Sequence, residues 1–255
     1  MRTTPNPLRP PAPRTEMKSS KIKFEEIILF EDDDFVVVNK PPFLSTLEDR
    51  HEKVNLLGLA REHVETAQVG HRLDKDTSGV LAIAKNPEAY RHLSIQFEKR
   101  RVSKVYHALV DGIHNFDHLL VDIPILKQDD GVVKLSRREG KPAQTYFTSL
   151  KPYKQHTLVE CQPITGRMHQ IRVHLASLNA SISGDEMYGG KPFFLSQVKR
   201  GFNLKKDTDE QPFMKRMALH AFSLTFNDLS ENEHRIEAPY PKDMYALMRQ
   251  LDLNN

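Results

Sequence analysis

The sequence contains one cysteine, Cys161, no tryptophan and no long apolar run. A single cysteine cannot form an internal disulfide or supply a thiolate zinc cluster. No base lies near Cys161 in the sequence, so we expect it to be a small buried residue rather than a nucleophile. No apolar stretch approaches the roughly 20 residues that span a bilayer, and the N-terminus lacks the apolar segment of a secretory signal. The sequence therefore predicts a cytoplasmic protein without a membrane span.

An excess of charge is also lacking, because 37 lysines and arginines face 34 acidic residues and the formal net charge is only +3. The basic residues nevertheless cluster at three places in the chain. These clusters are Lys99, Arg100, Arg101 and Lys104; Lys134, Arg137, Arg138 and Lys141; and Lys199, Arg200, Lys205, Lys206, Lys215 and Arg216. If they converge in space they form a phosphate-binding surface, and otherwise they are solvated faces balanced by the acidic residues.

The length of 255 residues favours one catalytic domain. Residues 1–20 contain five prolines and few large apolar side chains, so we expect a flexible tail followed by a catalytic domain over 21–255. Residues 193–211 are polar and basic, and their length predicts a mobile insertion. We expect a monomer.

Runs of β-branched and aromatic residues predict several strands joined by short turns. The predicted strands cover 27–31, 35–39, 80–84, 104–110, 145–150, 157–162 and 217–226. Asn86 followed by Pro87 and Glu88 predicts a capped helix, and apolar spacing predicts further helices over 169–177 and 241–251. Because strands outnumber helices, the predicted fold is α+β, with a large, mainly antiparallel mixed sheet flanked by helices.

Charged residues are concentrated in the segment GHRLDKDTSGVLAIAKN, residues 70–86, directly before a run that should be buried. A charged turn leading into a buried strand places its side chains at the rim of a sheet, where a catalytic group is held rigidly and still reaches substrate. The other interpretation of such a turn is a solvated loop. Asp76-Thr77-Ser78-Gly79 also suggests an aspartic protease, but the glycine falls one residue late and no second copy completes a carboxylate pair.

A second motif, TGRMHQIRVHL at residues 165–175, opens a predicted helix with two arginines and two histidines. Together with HRLDKDTSG it closely resembles the RluA family of RNA pseudouridine synthases, over roughly residues 25–240. Further family motifs follow in the same order: Asn39-Lys40-Pro41-Pro42, Lys104-Val105-Tyr106, Gly184-Asp185-x-x-Tyr188-Gly189 and Leu219-His220-Ala221. The resemblance implies a pseudouridine synthase-type catalytic domain that isomerises uridine in rRNA or tRNA.

The resemblance also implies roles for particular residues. Asp74 matches the catalytic aspartate, Tyr106 the tyrosine that packs on the target uracil, and Arg172 the arginine that pairs with the aspartate. An ionised carboxylate either adds to C1′ or removes a proton from C2′, and the sequence leaves both routes open. Neither route needs a redox or metal cofactor.

Basic residues in and beside the motifs are the candidates for RNA contact. They are Arg72, Lys99, Arg100, Arg101, Lys104, Arg167 and His169. Arg72 is implied to contact RNA and hold the place of the flipped nucleotide, and its alternative role is an ion pair with Asp74 or Asp76. His71, His169, His174 and His220 lack carboxylate or thiolate partners at ligand spacing, so we expect structural hydrogen bonds and no metal site.

Two departures from the family pattern affect these expectations. Phe43 stands where the family usually has glycine after Lys-Pro-Pro. Residues 1–20 are too short for the S4-type RNA-binding domain of many members, so we expect the catalytic domain itself to capture RNA. Two other functions remain open: an RNA-binding protein that has lost catalysis, and a glycoside hydrolase, against which the absence of tryptophan counts.

Overall fold

The structure is a computed structural model that describes residues 22–48, 54–129, 131–204 and 208–255. The predicted tail, together with Lys205 and Lys206, lies outside the described residues. The strands are β1 (Ile28–Glu31), β2 (Phe35–Lys40), β3 (Ser78–Ala84), β4 (Ser103–Asp111), β5 (Leu119–Asp122), β6 (Ile125–Lys127), β7 (Val133–Leu135), β8 (Gln144–Pro152), β9 (His156–Pro163), β10 (Leu219–Asn227) and β11 (Glu233–Glu237). The α-helices are α1 (Leu56–His63), α2 (Pro87–Glu98), α3 (Gln170–Ser177) and α4 (Lys242–Leu253).

Nine of these strands form one mixed sheet in the order β1-β2-β3-β10-β4-β9-β8-β5, with β11 also paired to β10. Every pairing is antiparallel except that of β3 with β10. β6 and β7 form a separate two-stranded hairpin. The predicted α+β fold with a large, mainly antiparallel sheet is therefore confirmed.

The core consists of two large clusters of buried side chains and a small one formed by Ile125, Val133, Ala143 and Val173. The first surrounds β2 and β3, and the second surrounds β4, β9 and α4. Tyr106, on the central strand β4, packs against both clusters. Cys161 is fully buried in the second cluster, where burial raises its thiol pKa, as expected for a small core residue. The insertion predicted over 193–211 is anchored at its start, because Phe193 and Val198 are buried.

Helix α2 begins as its sequence predicts. The side chain of Asn86 accepts a hydrogen bond from the Ala89 backbone N–H at 2.9 Å, and Pro87 occupies the first turn. Ala89 and Leu93 are buried against the first cluster. The helix thereby connects the buried strand β3 to β4.

Asn86→Ala should lower the free energy of unfolding by about 1 kcal/mol, because it removes the cap acceptor of α2. Asn86→Ser, which keeps an oxygen acceptor at the same position, should retain most of the stability. Urea unfolding followed by circular dichroism measures both. An alanine variant as stable as the parent would show that the cap contributes nothing.

Candidate active site

The charged segment forms a tight turn at the mouth of a cleft. The Thr77 N–H donates to the Asp74 carbonyl at 3.0 Å, and all residues of β3, which follows, are buried. The cleft has a volume of about 760 Å³ and is lined by this turn, the end of α2, Lys104 and Tyr106 of β4, and residues 163–172. Both sequence motifs therefore meet in one site.

A buried lysine forms hydrogen bonds with the backbone of this turn and of the loop that follows β2. Lys40 is fully buried, and its ammonium donates to the carbonyls of Leu44 at 2.9 Å, Pro41 at 3.0 Å and Lys75 at 3.1 Å. Burial lowers the pKa of Lys40 to about 7, and the charge of Arg216 acts in the same direction. The loop that follows Lys40 includes Phe43, whose φ of 65° lies in the left-handed region that favours glycine.

Arg216 holds the other side of the turn. Its side chain is wholly buried and donates to Asp243 at 2.7 and 3.1 Å, to the Asp76 carbonyl at 3.0 Å and to the Ser78 hydroxyl at 3.2 Å. The sequence grouped Arg216 with a surface cluster of basic residues, and this was wrong, because the guanidinium is used inside the protein. Asp243 lies on α4, so the C-terminal helix supports the turn through Arg216.

Gly79 ends the turn at the only parallel pairing among the described strands. It has a φ of 121° and pairs with Ala221 of β10. A Cβ at position 79 would lie 2.1 Å from the Ala221 carbonyl oxygen. Only glycine permits this approach, so the last residue of the HRLDKDTSG motif is explained by the meeting of β3 and β10.

Two basic side chains lie beside the Asp74 carboxylate. Its Oδ2 lies 3.7 Å from Nη1 of Arg172 and 3.8 Å from Nε2 of His169. The Asp74 side chain is 30% exposed, whereas those of His169 and Arg172 are 13% and 10% exposed. A substrate in the cleft can thus reach the Asp74 carboxylate, whereas His169 and Arg172 are more deeply buried beside that carboxylate.

Arg172 makes its hydrogen bonds to Asp185 and not to Asp74. Its Nε and Nη2 each donate to a carboxylate oxygen of Asp185 at 2.7 Å, and both side chains are buried. Burial by itself lowers the pKa of Arg172, but Asp185 outweighs that effect and the net shift is upward. The expected pairing with Asp74 exists only at ion-pair distance. The sequence signal for Asp185 was its place in the motif Gly184-Asp185-x-x-Tyr188-Gly189, to which the sequence analysis assigned no role.

Tyr106 and Lys104 project from β4 into the same cleft. Burial raises the pKa of Tyr106, and the nearby charge of Asp74 raises it further, so the phenol stays protonated. Burial lowers the pKa of Lys104 to about 8, with a further contribution from Arg100. The Lys104 ammonium lies 3.4 Å from the Thr165 carbonyl oxygen.

The residues expected to contact RNA divide into two groups. Arg72, Arg100, Lys104, Arg167 and His169 line the cleft. Lys99 and Arg101 are exposed beside it and do not belong to its lining. Arg72 is exposed and forms no ion pair with Asp74 or Asp76.

The four histidines singled out in the sequence all make hydrogen bonds within the protein. His71 accepts from the Ala82 N–H at 3.0 Å, and burial lowers its pKa to about 3. The ring nitrogens of His174 and of His220 each contact a hydroxyl and a backbone carbonyl, and Nδ1 of His169 contacts the Tyr188 hydroxyl. Within the described ranges, no group of three or more histidine, cysteine or acidic side chains is arranged to hold a metal ion.

The fold and the motifs correspond to those of known RNA pseudouridine synthases. The sequence model of the RNA pseudouridylate synthase family matches residues 34–177. Two solved structures superpose well. Human RNA pseudouridylate synthase domain containing 4 gives a TM-score of 0.68 at 26% identity, over 90% of this chain and 94% of that chain. Human RNA pseudouridylate synthase domain containing 1 gives 0.65 at 27% identity, over 84% and 83%.

Curated relatives place the chain within that class. Ribosomal large subunit pseudouridine synthase C of Vibrio cholerae is 33% identical over 233 residues, 90% of this chain and 70% of the relative. The Salmonella typhi protein of the same name is 36% identical over 227 residues, 86% and 68% of the two chains. The chain belongs to the RluA family of RNA pseudouridine synthases. No helix in the described part of the chain is long and apolar enough to cross a membrane.

Proposed function

We propose that this enzyme converts uridines of large-subunit ribosomal RNA to pseudouridine in the cytoplasm, with Asp74 as the catalytic carboxylate. The observation that supports this most strongly is the position of Asp74 on a braced turn at the cleft, facing Arg172 and His169. The RNA class is inferred from relatives named ribosomal large subunit pseudouridine synthase C. Transfer RNA is the alternative substrate.

The reaction breaks the bond from N1 of uracil to C1′ of ribose, turns the base and joins C5 to C1′. In one route the Asp74 carboxylate adds to C1′ as uracil leaves, and C5 then displaces it. In the other it removes the C2′ proton and later returns it. In both routes the C5 proton is lost and N1 gains a proton, so no oxidant or reductant is consumed. Each route requires an ionised carboxylate beside the ribose.

The neighbours of Asp74 fit this requirement. The positive charge of Arg172 lies 3.7 Å from the carboxylate and offsets part of the cost of its desolvation when RNA fills the cleft. Tyr106 offers an aromatic face beside Asp74 on which the target uracil stacks. Asp74 acts on the sugar and Tyr106 holds the base.

Access to one uridine in folded RNA requires unstacking, which costs a few kcal/mol and is offset by phosphate contacts and stacking. Arg72, Arg100 and Arg167 at the cleft are placed to make these contacts. Lys99 and Arg101 extend the basic surface beyond the cleft.

Neutralising Lys99, Arg100 and Arg101 together to glutamine should weaken RNA binding and flatten its salt dependence. The slope of log K against log salt should fall by about 0.7 to 0.9 for each phosphate that the variant no longer neutralises. A salt titration of binding to an rRNA fragment measures the slope.

The matched control neutralises three exposed basic residues outside the cleft lining, Lys154, Lys242 and Arg249, and should leave the slope unchanged. If the triple variant of 99–101 kept the parental slope, that cluster would be a solvated surface that does not contact RNA phosphates.

The function itself is tested with purified protein and unmodified transcripts of large-subunit rRNA and tRNA. Pseudouridine is detected by carbodiimide labelling and primer extension, and free uracil is measured in the same samples. Product in rRNA alone supports the proposal. Product only in tRNA contradicts the RNA class, binding without product supports a catalytically inactive RNA-binding protein, and release of free uracil supports a glycoside hydrolase.

A further inference from the structure

Tyr188 contacts both basic residues that face Asp74. It ends the 3₁₀ turn Glu186–Tyr188, in which positions three apart lie on the same side, so Asp185 and Tyr188 both approach Arg172. The ring centroid of Tyr188 lies 4.9 Å from Cζ of Arg172. Its hydroxyl lies 2.9 Å from Nδ1 of His169.

The hydroxyl of Tyr188 has a second partner, which uses it as an acceptor. The backbone N–H of Val133, on the separate hairpin of β6 and β7, donates to this oxygen at 3.1 Å. With one lone pair occupied by Val133, the Tyr188 O–H is free to donate to Nδ1 of His169. An imidazole that accepts at Nδ1 carries its proton on Nε2 when it is neutral.

His169 is held in an unusual backbone conformation. Its φ is 52° and its ψ is 21°, a left-handed geometry that is strained for a residue other than glycine. Such strain persists where surrounding contacts hold it, and the His169 ring makes its hydrogen bond to Tyr188 from this backbone conformation. In this conformation Nε2 lies 3.8 Å from Asp74 Oδ2. Burial lowers the pKa of His169, which favours the neutral ring.

We propose that Tyr188 is a positioning residue that places the His169 proton on Nε2, facing Asp74, and supports the Arg172 guanidinium with its ring. The Nε2–H of His169 then donates toward the Asp74 carboxylate or toward the ribose of the substrate. Arg172 supplies a fixed positive charge. The role in turnover rests on the proposed function of Asp74, whereas the tautomer of His169 does not.

The tautomer is read directly from ¹⁵N-histidine-labelled protein at pH 8 by long-range ¹H–¹⁵N correlation, with His169→Gln used for assignment. The expected pattern for His169 is a protonated Nε2 and an unprotonated Nδ1. Tyr188→Phe should move His169 toward a mixture of tautomers. A wild-type ring protonated on Nδ1, or a pattern unchanged in Tyr188→Phe, would overturn the proposal without any activity measurement.

Measurements of turnover distinguish a positioning role of Tyr188 from an effect on stability alone. Tyr188→Phe keeps the ring over Arg172 and should lower kcat about tenfold, with KM for RNA within about twofold. Tyr188→Leu also removes the ring and should lower kcat further. Tyr153→Phe is the matched control, because it too removes a hydroxyl hydrogen bond, here to Asp252 at 3.0 Å, outside the cleft lining. Its kcat should equal that of the parent.

The result also distinguishes the two proposals. If Asp74→Asn is inactive while Tyr188→Phe turns over at the parental rate, the positioning role is wrong and the function of Asp74 stands. If Asp74→Asn is active, the proposed catalytic role of Asp74 is wrong, and the His169 spectrum still decides what Tyr188 does to the ring.

Discussion

Asp74→Asn should reduce pseudouridine formation by about 10³-fold or more and leave the RNA dissociation constant within about twofold. The amide keeps the shape of the side chain, but it can neither add to C1′ nor accept the C2′ proton. The carboxylate contributes little to holding a polyanion, because its charge opposes that of phosphate. Single-turnover assays with enzyme in excess measure the chemical step, and filter binding measures affinity.

Asp76→Asn is the matched control in the same turn. The structure uses the backbone carbonyl of Asp76, which accepts from Arg216, and this carbonyl is unchanged in the variant. We expect Asp76→Asn to retain activity within severalfold of the parent. Product formation by Asp74→Asn near the parental rate would remove Asp74 from the mechanism.

Arg216→Met should lower the free energy of unfolding by about 3 to 5 kcal/mol, because three backbone carbonyls and the 30% exposed Asp243 carboxylate lose their donor. The wholly buried guanidinium bonds to the Asp243 carboxylate and to the carbonyls of Asp76, Met217 and Leu219. Methionine fills part of the volume and satisfies none of these acceptors. The midpoint of urea unfolding measures the loss.

Arg235→Met provides the comparison at an exposed ion pair. Arg235 and Glu237 lie 3.0 Å apart with side chains 64% and 50% exposed, so the change should stay within about 0.5 kcal/mol. If Arg216→Met destabilised the protein no more than Arg235→Met, Arg216 would not brace the turn that carries Asp74.

The regular elements of the fold were largely predictable from local pattern. β2 and β3 are runs of β-branched and small apolar residues, and α2 carries its own cap at Asn86. Sequence reasoning missed α1, although Asn55 caps it, and it also missed β5, β6, β7 and β11. The last three have weak local signals. β6 and β7 are three residues long, and β11 is an edge strand with alternating exposed charges. Their strand conformation depends on pairing with the neighbouring strand of a hairpin rather than on the residue pattern of the strand itself.

Residues of the candidate site that belong to a sequence motif were predictable. Residues that only tertiary contacts bring to the site were not. Asp74, Tyr106 and Arg172 were found from motifs, and all three line the cleft. The burial of Lys40 and Arg216 was not foreseen, because a lysine or arginine becomes buried only when carbonyls and carboxylates from other segments converge on it. Arg216, for example, bonds to the carbonyl of a residue 140 positions earlier in the chain.

Pseudouridine mapping of total RNA from cells lacking this gene, complemented with the wild type or with Asp74→Asn, tests the proposed function most directly. Particular pseudouridines in large-subunit rRNA should disappear in the deletion strain and return with the wild type. They should remain absent with Asp74→Asn expressed at the same level. An unchanged rRNA map in the deletion strain, or restoration by Asp74→Asn, would contradict the proposal that this enzyme modifies rRNA through Asp74.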